Sequence, residues 1–152
     1  MTPYVKWFMK SSLFWLGCGV TLGVCIAIDP RLIIYRPAHV HMNLLGFVTM
    51  MIFAVGYHVL PRIAGAPLRW EWLAPIHWWL ANTGLAMMVA GFFVIPWNAN
   101  VGRWILAPGG LLAALGAFCF IVNIWRTVDI ASARAASAAI NRKGLPVKQG
   151  IV

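Results

Sequence analysis

The sequence predicts an all-α integral membrane protein, a four-helix transmembrane bundle, and three observations support this. Hydrophobic residues make up 62% of the 152 residues, and charged residues make up only 10%. The mean hydropathy is +0.81. The apolar residues are gathered into four long runs. Soluble domains contain about 45–50% apolar residues, and one of this size has too little interior to bury more. We therefore expect a single transmembrane domain, 1–152.

The first run predicts a helix over residues 11–28. Lys6 and Lys10 precede it, as basic residues precede the apolar part of a signal peptide. However, the run is long for a signal peptide, and no small-x-small cleavage pattern stands before Asp29 and Pro30. We expect a retained helix that crosses the membrane.

Three further runs predict helices over 39–60, 72–96 and 104–125. Each is close to the roughly 20 residues that cross a hydrocarbon core about 30 Å thick. Tryptophans mark the run ends, the depth at which an indole reaches the headgroups: Trp70, Trp72, Trp97, Trp104 and Trp125. The alanine-rich stretch 126–140 is expected to continue the last helix within a basic cytoplasmic tail, 126–152, and Gly144 with Pro146 is expected to end that helix.

The basic residues predict the orientation. Cytoplasmic loops of membrane proteins are enriched in Lys and Arg. One side has three, Arg31, Arg36 and Arg103; the other has Lys6, Lys10, Arg62, Arg69, Arg126, Arg134, Arg142, Lys143 and Lys148. The N- and C-termini are therefore expected in the cytoplasm. The net charge is +9, and the basic residues that produce it lie between or beyond the apolar runs, where they are expected to contact membrane lipid. No nucleic-acid partner is therefore expected.

Small residues recur at the spacing that brings transmembrane helices together, in Gly19-x-x-x-Gly23 and over 109–116. We interpret both as sites of helix packing, because small residues let backbones approach closely in lipid. The three cysteines lie inside apolar runs and indicate neither a disulfide framework nor a zinc site.

The candidate functional residues are the four histidines, His39, His41, His58 and His77. No Asp or Glu lies inside a predicted span, which argues against a proton relay or a carboxylate-lined ion path. Imidazole is a good ligand for iron, copper and zinc. Lone histidines at a membrane interface commonly make only hydrogen bonds, and for His58 and His77 this alternative to metal binding stays open.

Helix geometry divides the histidines into an outer and an inner pair. His39 and His41 open the second helix and project roughly 200° apart, so one helix cannot easily bring both to one ion. They could serve two different sites. His58 lies roughly 28 Å further along the helix, near the inner end, and His77 enters the third helix from that side.

The runs 35–39 (Tyr-Arg-Pro-Ala-His) and 57–62 (Tyr-His-Val-Leu-Pro-Arg) resemble the second helix of subunit I of C-family haem–copper oxidases and nitric oxide reductases. The resemblance covers about helices 1–4 of a subunit that normally has twelve. It implies that His39 ligates a low-spin haem b in a bacterial cytoplasmic (inner) membrane.

The resemblance also implies what this chain lacks. The family's second low-spin ligand, copper ligands and high-spin haem ligand come from later helices, so we expect no complete oxidase here, and copper is favoured less than haem b. The twelve helices form three arcs of four, and the third arc carries a His-x-His that serves two haems. The pair His39 and His41 looks like that motif in one arc, which implies a homo-oligomer, a trimer or a dimer, with haem between subunits.

Three functions follow from this interpretation. The first is a membrane cytochrome b that transfers electrons in a respiratory or denitrification context, with the four histidines as candidate cofactor ligands and His39 and His41 as candidate iron ligands. The second is a haem sensor of nitric oxide or oxygen. The third is a non-catalytic subunit or assembly factor of a larger respiratory complex. No Ser/His/Asp set, phosphate loop or zinc spacing indicates another catalytic site.

Overall fold

The computed structural model describes residues 1–142 and, within them, helices joined by short connections, with no strand. The all-α bundle is therefore confirmed. The elements in chain order are α1 (Pro3–Ile28), a 3₁₀ turn (Pro30–Tyr35), α2 (Arg36–His41), a π-helical segment (Met42–Thr49), α3 (Met50–Ala64), α4 (Leu73–Val94) and α5 (Ala99–Arg142). The elements α2, the π segment and α3 follow one another without a break, and we call them together the composite helix.

Three helices of the described part of the chain are long and apolar enough to cross a membrane: Pro3–Ile28, Pro30–Ala64 and Ala99–Ile140. The fourth predicted crossing, 72–96, corresponds to α4, which has 22 residues. Two of its polar side chains face the bundle: His77 is buried, and Asn82 accepts a hydrogen bond from the Trp15 indole. The crossing by α4 stays a prediction.

The helices extend beyond the apolar runs. Helix α1 begins at Pro3, and α5 continues through the alanine-rich stretch to Arg142. Polar residues at a membrane surface can prolong a helix, so hydropathy marks the immersed part and not the helix end. The rest of the predicted tail, 143–152, lies outside the described residues.

A tight turn joins α1 to the composite helix. Asp29 accepts hydrogen bonds from the backbone and side chain of Arg31, which hold the pKa of its carboxyl below the ordinary value. Pro30 begins the 3₁₀ turn and Pro37 lies in the first turn of α2, where a missing N–H leaves no hydrogen bond unmade. The turn thereby sets where α2, and with it His39, begins.

Helices α4 and α5 pack backbone to backbone. A methyl group on Gly84 would lie 2.5 Å from the Ala113 nitrogen and 2.7 Å from the Gly109 carbonyl oxygen. Only glycine permits this approach, as the packing interpretation of the 109–116 run predicted. Gly110 differs, because no atom lies within 4 Å of its added methyl.

A polar clamp holds the connection between α3 and α4 against α5. The side chain of Asn123 is fully buried, donates to the Trp70 carbonyl at 2.9 Å and accepts from the Trp70 N–H at 3.1 Å. The Thr127 hydroxyl accepts from the Arg69 N–H at 2.9 Å. Backbone groups outside regular structure are thus satisfied within the protein, as an apolar environment requires.

Candidate functional site

The histidines lie at the two ends of the composite helix, which we call the His39 end and the His58 end. His39 and His41 lie in α2, at the first end. His58 lies in α3, and His77 of α4 is hydrogen-bonded to Tyr57 beside it. The division into two pairs follows the sequence prediction, and the surroundings of each imidazole decide what it can bind.

His39 packs into a crevice against α1. Its Nδ1 lies 2.8 Å from the Gly19 carbonyl oxygen. Because a carbonyl oxygen only accepts, Nδ1 carries the proton, and the lone pair is on Nε2. A backbone carbonyl that fixes a histidine in this way is typical of imidazoles that ligate metal through the other nitrogen.

Two glycines of α1 make room for this arrangement. A methyl group on Gly23 would lie 2.6 Å from His39 Cε1, and one on Gly19 would lie 2.7 Å from Asn43 Nδ2. Asn43 donates to the His39 carbonyl at 2.9 Å, which holds it beside the ring. Gly19-x-x-x-Gly23 lies where α1 packs against the composite helix, as predicted, and the side chains that the glycines accommodate there are those of Asn43 and His39.

His41 faces a different neighbourhood. Its Nδ1 lies 2.8 Å from the Pro37 carbonyl oxygen, which again leaves the lone pair on Nε2. The ring packs on Phe92 of α4, with centroids 4.8 Å apart. It lines a groove of about 490 Å³ between the composite helix and α5.

The two imidazoles therefore serve opposite sides of one helix. His39 contacts α1, whereas His41 contacts α4 and lines the groove beside α5. This is the arrangement that the two-residue spacing predicted. The structure does not bring these two side chains to one site within a chain.

The lone pair of His58 is occupied. Its Nε2 is hydrogen-bonded to the Arg62 guanidinium one turn later. Because arginine only donates, Nε2 is the acceptor. An iron at this nitrogen would have to displace the arginine.

His77 is enclosed in the core. Its exposed fraction is 0%, and its ring lies 4.7 Å from Phe8 and 4.4 Å from Phe53, centroid to centroid. Nδ1 lies 3.1 Å from the Tyr57 hydroxyl, while Nε2 is buried without a partner. A porphyrin would reach this nitrogen only by displacing aromatic side chains.

Two of the imidazoles offer the kind of donor atom that a haem takes from a protein. Within residues 1–142, with side chains described as far as 140, no three His, Cys, Asp or Glu side chains converge on a common point. A haem needs only one or two ligands from the protein, since the porphyrin supplies the other four. His39 Nε2 and His41 Nε2 fit that requirement.

Sequence reasoning assigned residues 109–116 to helix packing and did not predict that they line a groove. The α5 wall consists of Gly110, Ala113, Ala114 and Ala117, and Met88 of α4 also lines the groove. The signal was present, because small residues at spacings of three and four share one helical face.

Comparison with known proteins gives two matches. The family model for cytochrome c and quinol oxidase polypeptide I matches residues 4–145. The cbb3-type cytochrome c oxidase subunit CcoN1 of Stutzerimonas stutzeri is 26% identical over 126 aligned residues, which cover 66% of this chain. The chain spans 27% of the length of that relative.

Proposed function

The chain belongs to the cytochrome c and quinol oxidase polypeptide I family, and from this we propose that it is a membrane-bound b-type haem protein that transfers electrons. It is a membrane protein related to a respiratory oxidase subunit. A bound haem b would supply one-electron chemistry, and the protein would supply its ligands and an apolar setting.

The state of His39 is the observation that carries this proposal. Its side chain follows the Arg-Pro-Ala sequence of the resemblance, and its Nδ1 is fixed by the Gly19 carbonyl. The imidazole is thus held in the tautomer that offers Nε2. The His39 ring occupies the space that a side chain at Gly23 would fill, and this fit supports the same role.

The opposite directions of His39 and His41 support a homo-oligomer, in which His39 of one copy and His41 of the next bind one haem. Each copy then presents one ligand forward and one backward, as in a closed cyclic assembly. A trimer is favoured over a dimer, because three four-helix chains would contain twelve helices, the number in the oxidase subunit that the sequence resembles.

A second candidate is a non-catalytic subunit or assembly factor of a larger respiratory complex. The observation in its favour is the relative, which is named as a subunit of an oxidase. In that case the haem ligands would not be used.

We place both termini in the cytoplasm of a bacterium and His39 toward the outer surface. The nine basic residues on one side and three on the other support this orientation. Reporter fusions between Arg62 and Arg69 and after Lys148 should both report the cytoplasm. A periplasmic signal from either fusion would overturn the orientation.

Optical spectra of the purified protein test the function. A sharp reduced α band that carbon monoxide does not shift supports electron transfer, whereas a shift would point to gas sensing and the absence of haem to a structural role. The variant His39→Ala should lose the low-spin spectrum, and the matched variant His58→Ala should keep it. The reverse result would move the site to the His58 end.

A further inference from the structure

The groove beside His41 has an asymmetric lining. One side is formed by residues 40–49 of the composite helix and the other by α5, with Met88 of α4 between them. Its volume of about 490 Å³ falls within the range of pockets that hold small molecules and cofactors, roughly 300–1,000 Å³. The side chains that could ligate iron are His41 and Met88, so any metal chemistry here depends on one of these two.

His41 is the better ligand of the two. Its Nδ1–H is donated to the Pro37 carbonyl, so the ring nitrogen left without a proton is Nε2. The contact with Phe92 restricts the ring orientation. An imidazole held by a backbone carbonyl and a neighbouring ring loses little freedom when it binds iron.

The opposite wall offers room. Gly110, Ala113, Ala114 and Ala117 present nothing larger than a methyl group to the groove. Ala114 is exposed, so the core does not require its small size. A broad apolar ring such as a porphyrin would fit beside such a wall, whereas larger side chains would fill the same space.

The π segment forms the remaining side. Leu44, Leu45 and Thr49 belong to it, and the Thr49 hydroxyl donates to the Leu44 carbonyl five residues earlier at 2.8 Å. Helices of this wide form are rare, and they are frequent at functional sites. This segment begins directly after His41, at the groove.

We propose that this groove is the porphyrin seat of the chain, with His41 as an axial ligand and the small α5 residues as the determinants of its size. The inference rests on the proposed function, because it assumes that the protein binds haem b. It goes further in two ways. It assigns the porphyrin to the side of the composite helix that faces α5, and it makes haem binding depend on the small side chain of Ala114.

Filling the groove without touching either histidine tests the proposal. Ala114→Phe adds a ring to the groove wall at an exposed position. Leu115→Phe is the control, because residue 115 is also exposed and points about 100° away around the same helix. Both variants are purified in mild detergent beside the wild type. Haem per chain is measured by pyridine haemochrome, haem affinity by titrating haem into haem-free protein, and helix content by circular dichroism.

We expect Ala114→Phe to lower the affinity for haem at least about tenfold, a loss of about 1.4 kcal/mol, and Leu115→Phe to retain wild-type haem. Both should keep the wild-type helix content. Wild-type haem affinity in a folded Ala114→Phe protein would overturn the seat alone, while a wild type without haem would overturn the proposed function too. If Ala114→Phe does not fold, Ala114→Val replaces it, and unchanged affinity in that variant would count against the seat.

Discussion

The four histidines differ most in what their second ring nitrogen contacts. At the His39 end both Nδ1 atoms are bonded to backbone carbonyls, so both Nε2 atoms keep a lone pair. At the His58 end one lone pair is bonded to Arg62 and the other Nε2 is sealed in the core. Hydrogen bonding and burial therefore leave a lone pair on His39 and His41, engage that of His58 and enclose that of His77.

The space left by Gly23 gives a prediction at the residue scale. In Gly23→Ala the new methyl would lie 2.6 Å from His39 Cε1, so the ring must shift. Changes to groups that orient a metal ligand typically cost about 10–100-fold in affinity, and we expect a loss of haem affinity in that range. The control is Gly17→Ala, since no atom lies within 4 Å of that methyl. Equal haem affinity in both variants would show that the position of His39 does not matter.

His77 gives the complementary prediction. In His77→Phe the buried Nε2 without a partner is removed, while the Tyr57 hydroxyl loses its partner. The two effects oppose each other, and we expect the free energy of unfolding to change by no more than about 1–2 kcal/mol. Haem per chain should stay at the wild-type value. A folded His77→Phe protein without haem would make His77 a ligand after all.

At the scale of elements, hydropathy predicts where helices lie better than where they end. The four apolar runs each contain a helix, because a spanning segment must be apolar over about 20 residues. The start of α1 at Pro3 was not predicted, because Lys6 and Lys10 interrupt the apolar pattern before residue 11, whereas the continuation of α5 through the alanine-rich stretch was predicted and extends to Arg142. The π segment was not predicted either, since its eight residues belong to the same apolar run as the helix on either side.

The clamp on the connection between α3 and α4 gives a prediction at this scale. Asn123→Ala would leave the Trp70 N–H and carbonyl without their partners in a buried place. We expect a loss of about 1–3 kcal/mol in stability, measured as a lower thermal midpoint in detergent. Ser132→Ala is the control, because that exposed hydroxyl bonds only its own helix, at Val128. If the two variants have the same thermal midpoint, the clamp contributes nothing measurable to stability.

At the scale of the molecule, the sequence predicts the directions of the two histidines but not the groove. The 200° separation follows from helical geometry within α2 and needs no tertiary information. The groove depends on how α5 packs against the composite helix, where Gly56 meets the Phe120 ring, and against α4, where Gly84 meets Ala113. These contacts join residues far apart in sequence, so local sequence patterns do not predict them.

The opposite directions of His39 and His41 also define what an assembly must do. If a haem lies between copies, each interface needs His39 from one chain and His41 from the next. His39→Ala and His41→Ala should then each lose the low-spin haem when expressed alone. Native mass spectrometry of the wild type should find a trimer, with one haem per chain.

Co-expression of the two variants separates an interface site from a site within one chain. In a randomly mixed ring, about one interface in four combines an intact His39 from a His41→Ala chain with an intact His41 from a His39→Ala chain. We therefore expect co-expression to restore about a quarter of the wild-type low-spin haem, although neither variant alone has any. If the ligands were instead His41 and Met88 of the same chain, His39→Ala alone would keep the low-spin haem, and co-expression would give no more than the average of the two separate variants. A haem-bearing monomer in the mass spectrum would lead to the same conclusion, and it would place the complete site inside the four-helix bundle.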